Sequence, residues 1–441
     1  MKHTALYTAI AASLSLAGIA HADMNLVQND KGNLDMYVVL DAAVVNQNHS
    51  LSISPSMPNQ IYPYQPTAQG VGSVTGLLGG GLSDSRVGFK GAMNMDNGAK
   101  AIFNLESGFD VTSGQLNNAA AAVASNPNIK GSKYPTNLSS VNADSSLNGQ
   151  LFGRAAWFGL QDPTYGKITA GLQNNPMKDV FASYDPVKSD TFSPFGESGT
   201  VGGGGGVSED ARMENSLEYS NAIAGVTYSL AYQFGNNTSS NGVVGGSGVG
   251  DGVALRVGYE TDMFGVQASY NDFKDALKAV AGTSLGQIGL AELNTEAWLL
   301  AGKFTGVQDL TIEGGWERFT NSAPSDAVNI SSIWGIGVSG VTAAFAPGVS
   351  QTTNIYFFGG DYNVMPKLNI ALGYYDTMND NKSGTTNTNG SIKTTSAILD
   401  YRLYKQADVY AVVSTNQFSG PGFTGTNSTQ TAYGVGARVK F

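Results

Sequence analysis

The sequence predicts an all-β protein, a sixteen-stranded antiparallel transmembrane β-barrel. Three observations carry this reading. The last eleven residues alternate without a break, with Thr431, Tyr433, Val435, Ala437, Val439 and Phe441 on one face and Ala432, Gly434, Gly436, Arg438 and Lys440 on the other. Short turn signals alternate with long polar stretches along the whole chain. Beyond the first 22 residues there is no run of about twenty apolar residues that could span a bilayer as a helix. A strand with one face in lipid and the other in water needs a period of two, and only a closed sheet pairs every backbone group inside a membrane.

The first 22 residues read as a cleaved secretory leader. A basic start (Lys2, His3) precedes an apolar stretch, and Ala20-His21-Ala22 supplies the small-x-small pattern just before Asp23. Residues 1–22 are therefore expected to be a signal peptide, and 23–441 a single barrel domain. The alternative, an uncleaved amphipathic helix, is disfavoured because the apolar stretch is too short to span and no stop-transfer segment follows.

Turn signals lie at residues 95–98, 162–166, 221–225, 261–265, 305–309, 365–367 and 404–406. Stretches rich in Gly, Ser, Asn and Thr lie at 46–82, 112–149, 174–211, 236–250, 274–292, 320–351, 379–393 and 418–428. Eight loops alternating with seven turns make fifteen connections, hence sixteen strands with both termini on the short-turn side. Leu368, Ile370, Leu372 and Tyr374 oppose Asn369, Ala371, Gly373 and Tyr375, and Ala397, Leu399, Tyr401 and Leu403 oppose Ile398, Asp400 and Arg402. Residues 329–339 read as part of a long loop carrying its own short hairpin, because a seventeenth strand would place the termini on opposite sides. A soluble β-sandwich would not need the loop asymmetry or the terminal Phe.

Composition agrees. Charged residues make up 13%, against about a quarter in ordinary soluble domains, while glycines number 57, tyrosines 20 and phenylalanines 19. That suits thin strands with aromatic girdles and a polar interior. With no cysteine, stability outside the cytoplasm cannot rest on disulfides. The formal charge of −10 becomes −11 once Lys2 leaves with the leader, which disfavours a nucleic-acid partner.

Several stretches resemble the general porins of Gram-negative outer membranes, specifically the beta-proteobacterial type. They are Met36-Tyr37 through Leu40-Asp41, SRVGFKG at 85–91, AKAIFNLESGF at 99–109, LFGRAAWFGL at 151–160, YGKITAG at 165–171, RMENSLEY at 212–219 and YGVGARVKF at 433–441. The resemblance implies a trimer of sixteen-stranded barrels, each a water-filled channel for small hydrophilic solutes and ions, narrowed by a third loop that folds inward. That loop is here 174–211. It also implies that Phe441, with Tyr433, forms the signal read by the outer-membrane assembly machinery, and that the barrel sits among outer-membrane lipid and lipopolysaccharide. Three departures stand out: Gln173 where the family usually has Arg, a long lead-in over 23–33, and a five-glycine run from Gly202 to Gly206.

The charges can be placed independently of the family. Arg86 and Lys100 occupy faces opposite apolar neighbours on adjacent strands, so both should point into the lumen, since a lipid-facing cation at mid-depth costs about 2–4 kcal/mol. Arg154 is ambiguous, because strict alternation puts it on the face of Phe152 and Phe158 unless a bulge re-aims it. The third loop offers Asp179, Asp185, Asp190, Glu197, Glu209 and Asp210, and Ser193-Pro194-Phe195-Gly196-Glu197 reads as its tip. A constriction built of Arg86, Lys100, Arg154, Asp179, Asp185, Asp190 and Glu197 would set a basic wall against an acidic loop, with a transverse field in the narrows. Glu106, Glu214 and Glu218 could instead pair with wall cations and hold the lumen's shape.

Other functions have little to work with. The expected mature chain has a single histidine, His49, in a predicted loop, which is poor material for nucleophilic catalysis. No His/Cys cluster has metal-ligand spacing, and Asp376 to Asp380 lacks the Gly and distal Glu of a calcium loop. The Gly-rich segments lack the Lys-Ser/Thr pair of a phosphate cradle, so no cofactor is expected. The nearest alternative is a substrate-specific porin with a saturable site, to which Tyr375, Tyr356 or Trp157 could contribute aromatic surface.

Overall fold

The computed structural model of the chain describes residues 23–48, 74–109, 111–112, 114, 116, 151–188, 192–195, 212–235, 251–281, 288–323, 332–333, 336–343, 347–382, 390–420 and 428–441. The expected signal peptide lies outside them. Among the described residues are twenty strands and one well-formed helix. The first strands are β1 (Met24–Asn29), β2 (Gly32–Gln47), β3 (Val74–Gly79), β4 (Arg86–Asn94), β5 (Lys100–Gly108), β6 (Ala155–Asp162) and β7 (Gly166–Asn174), followed by helix α1 (Pro176–Tyr184). Next come β8 (Arg212–Ile223), β9 (Val226–Gln233), β10 (Gly252–Glu260), β11 (Phe264–Ala281), β12 (Ile288–Val307) and β13 (Leu310–Ser322). The last are β14 (Ser332–Ile333), β15 (Ile336–Ala343), β16 (Ser350–Met365), β17 (Leu368–Lys382), β18 (Gly390–Tyr404), β19 (Ala407–Ser419) and β20 (Thr429–Lys440).

The sheet closes. β20 pairs antiparallel with β2 from Val39↔Lys440 to Gln47↔Ala432, and the backbones of Val38 and Phe441 exchange hydrogen bonds of 3.0 and 2.9 Å at the seam. β3 and β4 together make one wall strand. β3 pairs with the upper half of β2 and β4 with the lower half, separated by an inward step at residues 80–85. Counted that way the wall has the expected sixteen strands, and all seven expected turns join neighbours.

Two expected loops are corrected. The loop placed at 46–82 contains β3, and most of 274–292 is strand, because β11 and β12 pair as far as Ala281↔Ile288. Polar and small residues can extend a hairpin once their backbones are paired, whatever their side chains prefer. Over 329–339, β14 and β15 form a hairpin outside the wall, with β15 running parallel to the start of β12, while β13 pairs directly with β16. The lead-in becomes β1, which folds back on β2 and covers the edge left below the end of β20.

Side chains alternate as a barrel requires. Along β2, Asp35, Tyr37, Val39, Asp41, Ala43, Val45 and Gln47 are buried on the inner side while their neighbours face out. On β20, Tyr433 and Val435 are exposed on the outer face and Arg438 is buried within. Some inner tyrosines lie flat on glycine: a Cβ at Gly88 would stand 2.2 Å from the Tyr37 ring, and one at Gly373 2.7 Å from the Tyr375 hydroxyl. Among the described residues no helix is long and apolar enough to cross a membrane.

Candidate pore constriction

The start of the third loop turns inward at a conventional helix cap. Asn175 is extended and its side chain accepts from the Met177 backbone at 2.9 Å, while Pro176 occupies the first turn, where its missing N–H costs nothing. Met177, Val180, Phe181 and Tyr184 form the buried face of α1. They pack in one apolar cluster with the inward residues Ala297, Leu299 and Ala301 of β12, Phe319 of β13, Ile355 and Phe357 of β16 and Tyr375 of β17. Burying this much apolar surface is what holds a loop inside a wet barrel.

Polar ties fix the path. The Tyr184 hydroxyl donates to Glu260, and the Lys303 ammonium stands 4.6 Å from the centre of the Tyr184 ring. Burial, then Glu260, push the Tyr184 hydroxyl above its ordinary pKa, so it remains a donor at neutral pH. Asp185 caps the helix end through its backbone N–H to Phe181 and takes the Tyr375 hydroxyl on its carboxylate. Beyond it, the Lys188 ammonium meets Asp361 at 2.9 Å and Glu313 at 3.6 Å. The Ser396 hydroxyl donates to the Phe192 carbonyl at 2.6 Å, and Phe195 stacks against Phe181, Phe357 and Tyr375 with centroids 4.3, 4.9 and 5.7 Å apart.

On the β2–β6 side a second cluster faces inward. Arg154 donates from Nε to Glu106 at 2.7 Å and from Nη1 to Asp84 at 2.7 Å. Arg86 Nε lies 3.5 Å from Glu106, and its Nη1 donates to the Asp84 carbonyl at 2.9 Å. The Tyr37 hydroxyl donates to Glu106 at 2.8 Å. Arg154 enters the lumen because β6 begins at Ala155, so Arg154 precedes the strand and escapes its alternation, whereas Phe158 obeys it and faces out. Glu106 thus pairs with the wall cations Arg86 and Arg154.

The remaining expected residues fall as follows. Lys100 shares the inward register but is exposed as the first residue of β5, about 20 Å from Glu106 along the strand. It is not brought into the cluster. Asp179 lies on α1, accepts from Asn174 at 3.0 Å and stands 3.9 Å from Arg256. Asp190, Glu197, Glu209 and Asp210 lie outside the described residues. Gln173 is buried, donating to Ser216 at 3.0 Å. Tyr356 faces outward, Trp157 faces Lys167 with 5.6 Å between cation and ring, and Tyr375 is buried under the third loop.

Sequence reasoning missed Asp41, Asp84 and Tyr410. Signals for the third loop's seat were there: Ala297 to Ala301 and Ile355 to Phe358 are apolar on both faces, which a wholly wet lumen would not favour.

The model of the Gram-negative porin family matches residues 7–421. This chain belongs to the Gram-negative porins. Its barrel is an outer-membrane barrel. Among curated proteins, the porin is 28% identical to an outer membrane porin protein of Bordetella pertussis over 163 residues, 37% of this chain and 34% of the relative, so the match spans about a third of that relative's length. Among solved structures, its fold is similar to the anion-selective porin from Comamonas acidovorans, with a TM-score of 0.61 at 16% identity over 93% of this porin and all of that chain. It is also similar to the trimer form of OmpT of Vibrio cholerae (TM-score 0.58, 16% identity, 93% and 100% covered) and to OmpF of Salmonella typhi (0.55, 17%, 95% and 100%).

Proposed function

We propose that this porin is a water-filled channel through which small hydrophilic solutes and ions cross the outer membrane by passive diffusion. The observation that carries the reading is a closed wall whose inner face bears paired charges on β2–β6 and an inserted loop segment on the other side. Solutes would pass between these, with Arg86, Arg154, Asp179 and Asp185 around the narrows and Lys100 at the turn-side mouth. A saturable site for one particular solute is less supported, since Tyr356 faces outward and Tyr375 is covered by the third loop.

The reading extends to partners and processing. It takes residues 1–22 as a removed leader, three copies as the assembled form, outer-membrane lipid and lipopolysaccharide as the surroundings, and Phe441 with Tyr433 as the feature engaged by the assembly machinery.

Purified protein in liposomes should swell them in isotonic sugars at rates that fall smoothly with solute size, and should give discrete conductance steps in planar bilayers. Vesicles no leakier than protein-free ones would end the proposal, and a rate that saturated for one sugar would favour the specific-site reading.

A further inference from the structure

We infer that Asp84, carried into the lumen by the break between β3 and β4, is a charge-selectivity determinant of the channel, with Asp41 as its positioning residue. The inference rests on the channel reading above and goes beyond it to which residue sets the sign of the field.

The break is built rather than accidental. Gly80 adopts a left-handed φ of +81°, which lets the chain leave the sheet plane. The next three backbone N–H groups, of Gly81, Leu82 and Ser83, then converge on the Asp41 carboxylate at 3.1, 3.0 and 3.0 Å. The Tyr410 hydroxyl donates to the same carboxylate at 2.5 Å, reaching from β19 across the seam strand β20. Ser85 Oγ accepts from the Asp41 backbone N–H at 3.0 Å, and Leu82 joins the apolar cluster with Ala43 and Val45. A carboxylate holding three successive N–H groups fixes the segment as rigidly as a strand pairing would.

That rigidity delivers Asp84 to Arg154. Arg86 and Arg154 alone would give the β2–β6 wall two positive charges. With Asp84 and Glu106 in contact, the four charges cancel within a cluster whose members are each 13% exposed or less. Glu106 lies on a regular strand, but Asp84 is present only because the wall strand is interrupted. Where a channel narrows to the Debye length of about 8 Å, one uncompensated charge at the wall biases the ion traffic.

The test is the reversal potential of reconstituted channels in a potassium chloride gradient, measured on a charge cycle. Asp84→Asn should move selectivity toward chloride, lowering the cation-to-anion permeability ratio about twofold or more. Glu106→Gln removes the same charge and should move it the same way. Arg154→Gln should move it toward potassium. The double variant Asp84→Asn with Arg154→Gln restores the balance and should return close to the wild type. Thermal shifts of the folded band on gels report stability separately, so a variant that folds poorly is read through the others. A merely structural role would not give opposite signs that cancel. Unchanged reversal potentials in the single variants, or shifts of the same sign for Asp84→Asn and Arg154→Gln, overturn the inference. Failure of the wild type to conduct would instead overturn the channel reading.

Discussion

The Tyr375 hydroxyl donates a hydrogen bond to the Asp185 carboxylate, joining the C-terminal end of α1 to the middle of β17 across the inside of the barrel. Both side chains are buried. A hydrogen bond to a buried charged acceptor is worth about 1.5–3 kcal/mol, and losing the donor leaves the acceptor less well satisfied. Tyr375→Phe keeps the ring against Phe195 and removes only the hydroxyl. The closed wall is untouched, so thermal stability should change little while the loop loosens. Single-channel records should show larger current fluctuations than the wild type, and indistinguishable records would mean that the tie does not hold the loop.

A second tie has a pH dependence of definite sign. Burial acts to lower the Lys188 pKa, but Glu313 and Asp361 outweigh it and hold the ammonium above its ordinary value of 10.5. A cation whose folded pKa is raised stabilises the folded arrangement fully below the unfolded value and loses that contribution as pH rises through the folded one. The loop segment at Lys188 should therefore stay seated through neutral pH and loosen only above 10.5. Lys188→Met should remove this alkaline step and bring the current fluctuations of the loosened loop to neutral pH. Equal pH profiles for the two proteins would show that the pair is incidental.

The Asp41 carboxylate gathers four donors, so its removal is costly. Each buried donor left unsatisfied costs about 1–3 kcal/mol, and Asp41→Ala strands the N–H groups of Gly81, Leu82 and Ser83 and the Tyr410 hydroxyl. The expected destabilisation is about 3 kcal/mol or more. Asp41→Asn keeps one acceptor oxygen and should fall between this variant and the wild type. The temperature at which the compact band converts to the unfolded one on gels measures both. Little difference between Asp41→Ala and the wild type would mean that the inward step is held by other contacts.

The wall was legible because it obeys a local rule. Period-two alternation at 368–375, 397–403 and 431–441 follows from lipid on one side and water on the other, so each strand announces itself. What escaped were arrangements fixed by distant partners. β3 hides in a Gly- and Ser-rich stretch because its evidence is the backbone of β2. Arg154 could not be aimed, since its direction depends on where β6 starts and on Asp84 and Glu106 from other strands. Asp41 carries no local mark of its role, since nothing near it in sequence says that Tyr410, 369 positions away, donates to its carboxylate. The inner apolar runs on β12 and β16 were visible in sequence but have meaning only with α1 beside them.

Leu299 and Leu300 turn that last point into a measurement. They are adjacent on β12, yet Leu299 is 2% exposed under α1 and Leu300 is 52% exposed on the outer face. Outside, truncation to Ala exchanges side-chain contact for contact with lipid tails and leaves no cavity. Inside, Leu299→Ala removes packing between the wall and the loop, where such truncations cost about 2–5 kcal/mol. Leu299→Ala should therefore weaken the loop's seat and increase current fluctuations, while Leu300→Ala should change neither conductance nor gel stability appreciably. Arginine reverses the ranking in severity at the outer site, since Leu300→Arg at mid-membrane costs about 2–4 kcal/mol and should impair folding. If both alanine variants behaved alike, the inner face of β12 would not be the loop's seat.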